Sequence, residues 1–189
     1  MGVAASGCAD DTEAPNAPAA NSTAASTAAS TPATPASTAT LYRRVDTLCP
    51  KLDLEAIIDV LGPVGNQQDH SRTTGNTASL ACTATVGRLP NGVVLTVRAD
   101  IGAPGSGKLM YEGLRQAQQT SGPVTDLTDV GSAAYTYTDE ATGFNVVAYE
   151  ANLYLTIAAA PLRPGATLPG DLPARVTAVA ASTLAALRT

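Results

Sequence analysis

Residues 79–101 read SLACTATVGRLPNGVVLTVRADI, and this segment sets the architecture of the chain. It contains two runs of small apolar and β-branched residues, 79–86 and 93–101, separated by Pro-Asn-Gly at residues 90–92. Two runs of this composition around a short turn that ends in Asn-Gly are typical of a β-hairpin. The sequence therefore predicts an antiparallel pair of strands in the middle of the chain.

Three further strands are predicted downstream of the hairpin, over residues 134–138, 144–149 and 153–159. Residues 150–152 form a tight turn between the last two strands, and residues 124–130 are a weak strand or a loop. Because short turns join antiparallel neighbours, these strands extend the sheet. We expect about five strands in total.

Three helices are predicted from apolar residues spaced along one helix face. The first is capped by Asp53 and ended by Gly62 and Pro63, and its apolar face consists of Leu54, Ile57, Ile58 and Leu61. The second covers residues 108–119 and directs inward Met110, Leu114 and Ala117. The third begins near Pro173, and its inward face consists of Val176, Val179, Ala180, Thr183, Leu184 and Leu187.

The predicted order of elements is α-β-β-α-β-β-β-α, with a polar loop over residues 65–75. Strands that follow one another through short turns, with helices before and after them, are typical of the α+β class. We therefore expect one α+β domain over residues 41–189, built from an antiparallel sheet of about five strands packed by helices. A chain of this length can bury a sound hydrophobic core.

The first 40 residues divide into a short segment that ends in a cysteine and a long low-complexity segment. Residues 1–8 end in Ala-Ser-Gly-Cys, which resembles a lipobox and implies a signal remnant with a lipid anchor on Cys8. Residues 9–40 are almost wholly Ala, Ser, Thr, Pro, Asn and acidic residues, so burial could not offset the entropy of ordering them. We expect a disordered tether there, and a chance cysteine in a tail is the alternative for Cys8.

Charge and hydropathy exclude two classes of protein. The net charge is −5 and the chain has only 11 Lys and Arg residues, without a basic cluster. Nucleic-acid binding needs several clustered phosphate contacts, so we do not expect it. The sequence also has no run of about 20 apolar residues, so it predicts no transmembrane helix.

Two cysteines, Cys49 and Cys82, fall within the predicted domain. In an exported chain we expect them to form a disulfide between the start of the first helix and the first strand. Two buried free thiols are the alternative. A structural zinc site is less favoured, because two cysteines and the single histidine supply too few ligands.

The segment Gly-Ala-Pro-Gly-Ser-Gly-Lys at residues 102–108 has the spacing of a phosphate-binding loop. Leu109 stands where such a loop has a Ser or Thr hydroxyl for Mg²⁺, and the predicted sheet is antiparallel rather than parallel. We therefore expect a Gly-rich turn that caps the second helix, and no nucleotide.

The titratable residues predict neither catalysis nor a metal site. His70 is the only histidine and lies in the polar segment, where we expect it on the surface. Four acidic residues follow the second helix at a spacing that fits no calcium loop: Asp126, Asp129, Asp139 and Glu140. We interpret them as a solvated face and expect no cofactor.

A row of tyrosines is predicted in the second half of the sheet. Tyr135 and Tyr137 point to one side of a strand, and Tyr149 and Tyr154 flank the next turn. Such a row is usually a packing feature. The alternative is a groove that binds a sugar or a peptide, since tyrosine offers both apolar area and a hydroxyl.

Three motifs together resemble a known family. These are Leu-Cys-Pro at residues 48–50, the second cysteine on the first strand, and Asp-Val-Gly-Ser-Ala-Ala-Tyr at residues 129–135. Over about residues 42–188 the chain resembles the actinobacterial lipoproteins of the domain of unknown function 3558 family. The resemblance implies an envelope location and this architecture, and it implies no activity.

These observations predict a lipid-anchored, noncatalytic envelope module on the outer face of the cell membrane. Its partners would be the membrane, through the anchor, and an envelope protein or ligand. The alternative is a carrier or sensor that holds a lipid-like ligand in a cavity between sheet and helices. An enzyme is the third hypothesis. An active site would need clustered titratable groups with perturbed pKa values, and the sequence does not supply such a cluster.

Overall fold

The structure, a computed structural model, describes residues 41–188. It contains the helices α1 (Glu55–Leu61), α2 (Ser106–Ser121) and α3 (Leu172–Leu187), and a short 3₁₀ turn, Cys49–Lys51. The strands are β1 (Val64–Asp69), β2 (Arg72–Thr74), β3 (Thr77–Val86), β4 (Val93–Ile101), β5 (Thr125–Leu127), β6 (Ala133–Asp139), β7 (Gly143–Glu150) and β8 (Leu153–Pro161). Cys8 and the predicted tether lie outside the described residues.

All eight strands belong to one antiparallel sheet in the order β1-β3-β4-β8-β7-β6-β5, with β2 also paired to β3. The hairpin of β3 and β4 forms as predicted and pairs in register from Ala78 with Ile101 to Val86 with Val93. Strand β8 then inserts beside β4. The predicted α+β class is confirmed, with eight strands where about five were expected.

The two faces of the sheet differ in what covers them. The inner face, which we define as the face covered by α1 and α3, carries the large apolar side chains of the central strands. Its fully buried members include Leu80, Leu95, Val97, Leu155 and Ile157. The opposite, outer face is covered by α2 over the β7–β8 region. The main hydrophobic core therefore lies on the inner face.

Helix α3 closes this core with the face that its sequence predicts. All six residues expected to point inward are buried, from Val176 to Leu187. Helix α1 begins one residue later than predicted, because Leu54 occupies the cap position while Asp53 Oδ1 accepts a hydrogen bond from the Glu55 amide at 3.1 Å. It packs mainly against α3 and only partly against β3.

A disulfide joins Cys49 to Cys82, as the sequence predicts, across 33 positions of the chain. Cys82 lies on the inner face of β3, so the bond ties the 3₁₀ turn ahead of α1 to the sheet. Asp69 of β1 accepts hydrogen bonds from the backbone amides of Leu48 at 2.7 Å and Cys49 at 2.8 Å. Burial raises the pKa of Asp69, but these bonds and those from Ser71 outweigh it and hold the pKa below its ordinary value.

The prediction of a polar loop over residues 65–75 is wrong, because this segment forms β1 and β2, which both pair with β3. These edge strands are largely exposed, so their side chains follow no apolar alternation that the sequence could reveal. His70 lies at the bend between them and is exposed, while its amide donates to the Ala81 carbonyl at 2.8 Å. The weak strand predicted over 124–130 is β5.

The predicted inward face of α2 is also wrong. Met110 is 37% exposed and Leu114 is 47% exposed, and Ala117 is exposed as well, whereas Gly107 and Tyr111 are buried. The helix covers a tyrosine-rich part of the outer face, so a tyrosine and a glycine fit there better than the aliphatic residues. The aliphatic side chains are left on an uncharged, solvent-facing flank.

The two ends of the described chain meet at one corner of the sheet. Tyr42 donates its hydroxyl to Glu150 Oε2 at 2.9 Å and accepts a hydrogen bond from Arg188 Nε at 3.2 Å, and Arg188 also pairs with Glu150. The Tyr42 amide donates to the buried side chain of Asn152 at 2.8 Å. These bonds attach the start of the domain to the β7–β8 turn and to the end of α3.

Candidate ligand groove

A second cluster of buried side chains fills the space between α2 and the outer face. Its buried members are Tyr111, Tyr135, Val147 and Tyr154, and Tyr137 and Tyr149 are half-buried beside them. The Tyr111 ring lies 5.3 Å from the Tyr135 ring and 4.8 Å from the Tyr149 ring, centroid to centroid. Tilted pairs at such distances add stability beyond the area they bury.

The four tyrosines predicted as a row do share the outer face, because Tyr135 pairs with Val147 and Tyr149 with Tyr154 across neighbouring strands. Their environments differ. Tyr135 and Tyr154 are 1% and 4% exposed and pack under α2, which makes them core residues. Tyr137 lies at the margin of the cluster, 6.1 Å from Tyr135. Tyr149 is the member that borders a groove.

These phenols are neutral at physiological pH, and burial favours their neutral form further. Burial raises the pKa of Tyr135 to about 12, and it raises the pKa of Tyr111 and Tyr154 above the ordinary value. A phenol with a raised pKa remains a hydrogen-bond donor at neutral pH and carries no charge. The cluster therefore offers aromatic surface and hydroxyl donors rather than nucleophiles.

The groove next to this cluster has a volume of about 460 Å³ and runs between α2 and the strands β6 and β7. Ala133 and Tyr149 form its sheet side. The helix side is a polar stripe that consists of Lys108, Glu112, Arg115, Gln116 and Gln119, with Tyr111 beneath it. The stripe is about 16 Å long, because residues 108 and 119 are eleven helical positions apart.

The charges of the helix side are paired. Lys108 Nζ lies 3.6 Å from Glu112, and Arg115 donates to Asp126 of β5 at 2.6 Å. The Arg115 guanidinium also lies over the Tyr135 ring, 5.9 Å from its centroid. The groove is thus polar but close to neutral overall.

The Tyr111 hydroxyl and Arg115 Nε are buried beneath the groove, and neither has a hydrogen-bond partner of good geometry in the described part of the chain. Burial raises the Tyr111 pKa, and the nearby Arg115 side chain opposes that rise. The two groups are therefore polar neighbours of each other below the groove surface.

The sequence predicts only the Tyr149 side of this groove. It assigns Lys108 to a Gly-rich turn and gives no role to Tyr111, Arg115 or Gln119. The signal was present, because polar residues recur at positions 108, 112, 115 and 119, the spacing of one helix stripe. The sequence could not show that α2 buries Tyr111 against the sheet. That burial fixes the rotation of the helix and places the polar stripe next to β6 and β7.

The Gly-rich segment of residues 102–108 has a structural role. It connects β4 to α2 in an antiparallel sheet, and the Gly102 amide donates to the Asn152 carbonyl at 3.0 Å. A β-carbon on Gly107 would lie 2.4 Å from the Leu153 carbonyl oxygen, so glycine allows α2 to approach β8. Lys108 is exposed and paired with Glu112.

We therefore predict that Mg-ATP gives no saturable signal with this protein at concentrations up to about 1 mM, where binding is worth only about 4 kcal/mol. Isothermal titration calorimetry of the protein and of Lys108→Ala would check this, and the two should behave alike. Micromolar affinity that Lys108→Ala abolishes would contradict it and would restore an enzymatic hypothesis.

The acidic residues that follow α2 are separated by the fold. Asp126 pairs with Arg115, and Asp139 closes the β6–β7 turn by accepting hydrogen bonds from Ala141 and Thr142. Those bonds lower the Asp139 pKa. Over residues 41–188, no three His, Cys, Asp or Glu side chains come together as a metal site would require. In the same range no helix has the length and apolarity needed to cross a bilayer.

No protein-family model, curated protein or solved structure matches this chain. The family resemblance rests partly on residues 129–135, and the structure explains why this turn needs a glycine. Gly131 has φ +60°, and a β-carbon there would lie 2.6 Å from the Tyr149 carbonyl oxygen. Family membership stays a prediction, and function has to be argued from the molecule itself.

Proposed function

We propose that this chain is a lipid-anchored envelope lipoprotein that acts outside the cell membrane as a noncatalytic binding module for a partner protein or an envelope ligand. The observation that carries the proposal is the Cys49–Cys82 disulfide, because structural disulfides persist in oxidising, extracytoplasmic compartments. The lipobox-like residues before Cys8 and the resemblance to the domain of unknown function 3558 family support the same location.

Two features of the outer face support binding there. One is the groove beside Tyr149. The other is α2 itself, which exposes Met110 and Leu114 on its uncharged flank and Leu109, 73% exposed, further round its surface. Exposed apolar groups that cluster on one element are typical of contact surfaces.

The alternative of an internal lipid carrier receives less support. A carrier needs apolar space between the sheet and its helices, and the side chains that face each other there are fully packed. Leu155, Ile157, Val176 and Leu184 are at most 1% exposed and belong to one continuous cluster. Binding at the surface of the outer face agrees better with this core.

We predict that Cys8→Ser moves most of the protein from the membrane fraction to the soluble fraction when the gene is expressed from its native locus. The reason is that the lipid attached to Cys8 would supply the membrane affinity, at about 0.8 kcal/mol for each buried methylene group. Fractionation with immunoblotting, together with metabolic labelling by a clickable fatty acid, would measure it. Ser26→Ala, a change within the predicted tether, is the matched control and should stay in the membrane fraction. Retention of the Cys8→Ser protein in membranes would refute the anchor.

A further inference from the structure

We propose that the groove lined by Lys108, Tyr111, Arg115, Gln119 and Tyr149 binds a short neutral oligosaccharide. The inference rests on the proposed function, since it names the ligand class of that binding module. The inference rests on the shape of the groove, its lining side chains and its charge.

The groove combines an aromatic side with a side of planar polar groups. The half-buried Tyr149 ring packs on Tyr111 and forms part of the sheet side. Gln116 and Gln119 line the helix side of the groove, and their exposed amides can make new hydrogen bonds. A sugar ring has an apolar face of C–H groups and a rim of hydroxyls, so it can satisfy both sides at once.

Charge selects against the other classes of small ligand. Lys108 lies beside Glu112 and Arg115 donates to Asp126, so both cations already have a counter-ion and the groove offers an anion little net attraction. An apolar ligand would remove water from amides and charged groups without replacing their hydrogen bonds. A polyhydroxy ligand without charge has neither disadvantage.

The size of the groove favours a chain of sugars. The polar stripe is about 16 Å long, which suits an oligosaccharide better than a monosaccharide. Tyr111 packs beneath it against the Tyr149 ring, and Arg115 is held by Asp126.

The test is a titration of the ¹⁵N-labelled full chain with maltotriose, cellotriose and mannotriose, each up to about 20 mM, followed by amide chemical shifts. We expect saturable shifts with at least one trisaccharide, confined to residues 108–119 and the strands β6 and β7, with a Kd of about 1 mM. Inorganic phosphate at the same concentration should give no saturable shift there. The absence of saturable shifts with all three sugars, or shifts that map elsewhere, would overturn the proposal, as would tighter binding of phosphate.

Two variants on the same helix provide a matched comparison. Gln119→Ala removes a groove amide and should weaken binding about fivefold, the size of one net hydrogen bond. Gln118→Ala makes the same change at a residue that does not line the groove, and should bind like the unmodified protein. Equal effects of the two variants would contradict the assignment. Tyr149→Ala should weaken binding more strongly, provided its amide spectrum shows that it is folded.

The sugar titration and the Cys8→Ser fractionation together show whether this inference or the proposed function has failed. If the sugars do not bind while Cys8→Ser still releases the protein from membranes, the ligand class is wrong and the anchored module stands. If a trisaccharide binds and chromatography then shows it cleaved, the groove stands and the noncatalytic function is wrong.

Discussion

Reduction of the Cys49–Cys82 disulfide is expected to lower the melting temperature of the protein by about 6–12 °C, a loss of about 3 kcal/mol for a domain of this size. The bond closes a segment of 33 positions that contains α1, β1 and β2. A helix of seven residues cannot hold itself in water. When the bond is open, α1 depends on its contacts with α3 and on the hydrogen bonds from Asp69.

Thermal unfolding followed by circular dichroism, with and without reductant, measures this effect. The double variant Cys49→Ala/Cys82→Ala should match the reduced protein and should no longer respond to reductant. Amide hydrogen exchange should rise first in residues 50–62, where the constraint is lost. Mass spectrometry of unreduced digests provides the decisive check. If material from an oxidising compartment yields the two cysteines as separate alkylated peptides, the disulfide and the case for export are both refuted.

Gly107→Ala is expected to destabilise the protein by about 2–3 kcal/mol, although alanine is the better helix former. The new methyl group would lie 2.4 Å from the Leu153 carbonyl oxygen and 2.8 Å from its carbonyl carbon. Both are backbone atoms of a strand held on its two sides, so the helix has to move instead. The melting temperature should fall by about 4–12 °C.

Gly113→Ala makes the same change six residues later in α2 and has the opposite expected sign. No atom lies within 4 Å of a β-carbon at Gly113, which is on the exposed side of the helix. The variant should therefore gain about 1 kcal/mol of helix propensity. Chemical denaturation of both variants gives the comparison directly. Equal effects would show that α2 does not approach β8 as closely as described.

The inner face of the sheet was predictable because its residues obey a simple rule. Leu95, Val97 and Ala99 alternate with Thr96 and Arg98, and a strand with one buried face requires that alternation. The same logic holds for α3, where buried residues recur at helical spacing. In both elements local pattern and tertiary environment agree.

The outer face was not predictable in the same way. In α2 the apolar pattern of Met110 and Leu114 suggests burial, but the sheet beneath that helix presents tyrosines, and Tyr111 packs on them instead. Side-chain pattern cannot reveal which partner surface a helix will meet. For the same reason the four tyrosines could be grouped from sequence, yet Tyr149 could not be singled out, since its role depends on where α2 lies.

The bonds among Tyr42, Glu150 and Arg188 bring residues 146 positions apart into direct contact. Because the domain begins and ends at the same corner, a short glycine linker could join residues 42 and 188 without crossing the sheet. The chain could then be opened in the exposed turn near Leu89, which is 69% accessible. Circular permutation is tolerated at such sites, and the permuted protein would present its free ends away from that corner. An enzyme or fluorophore fused there would leave the outer face open.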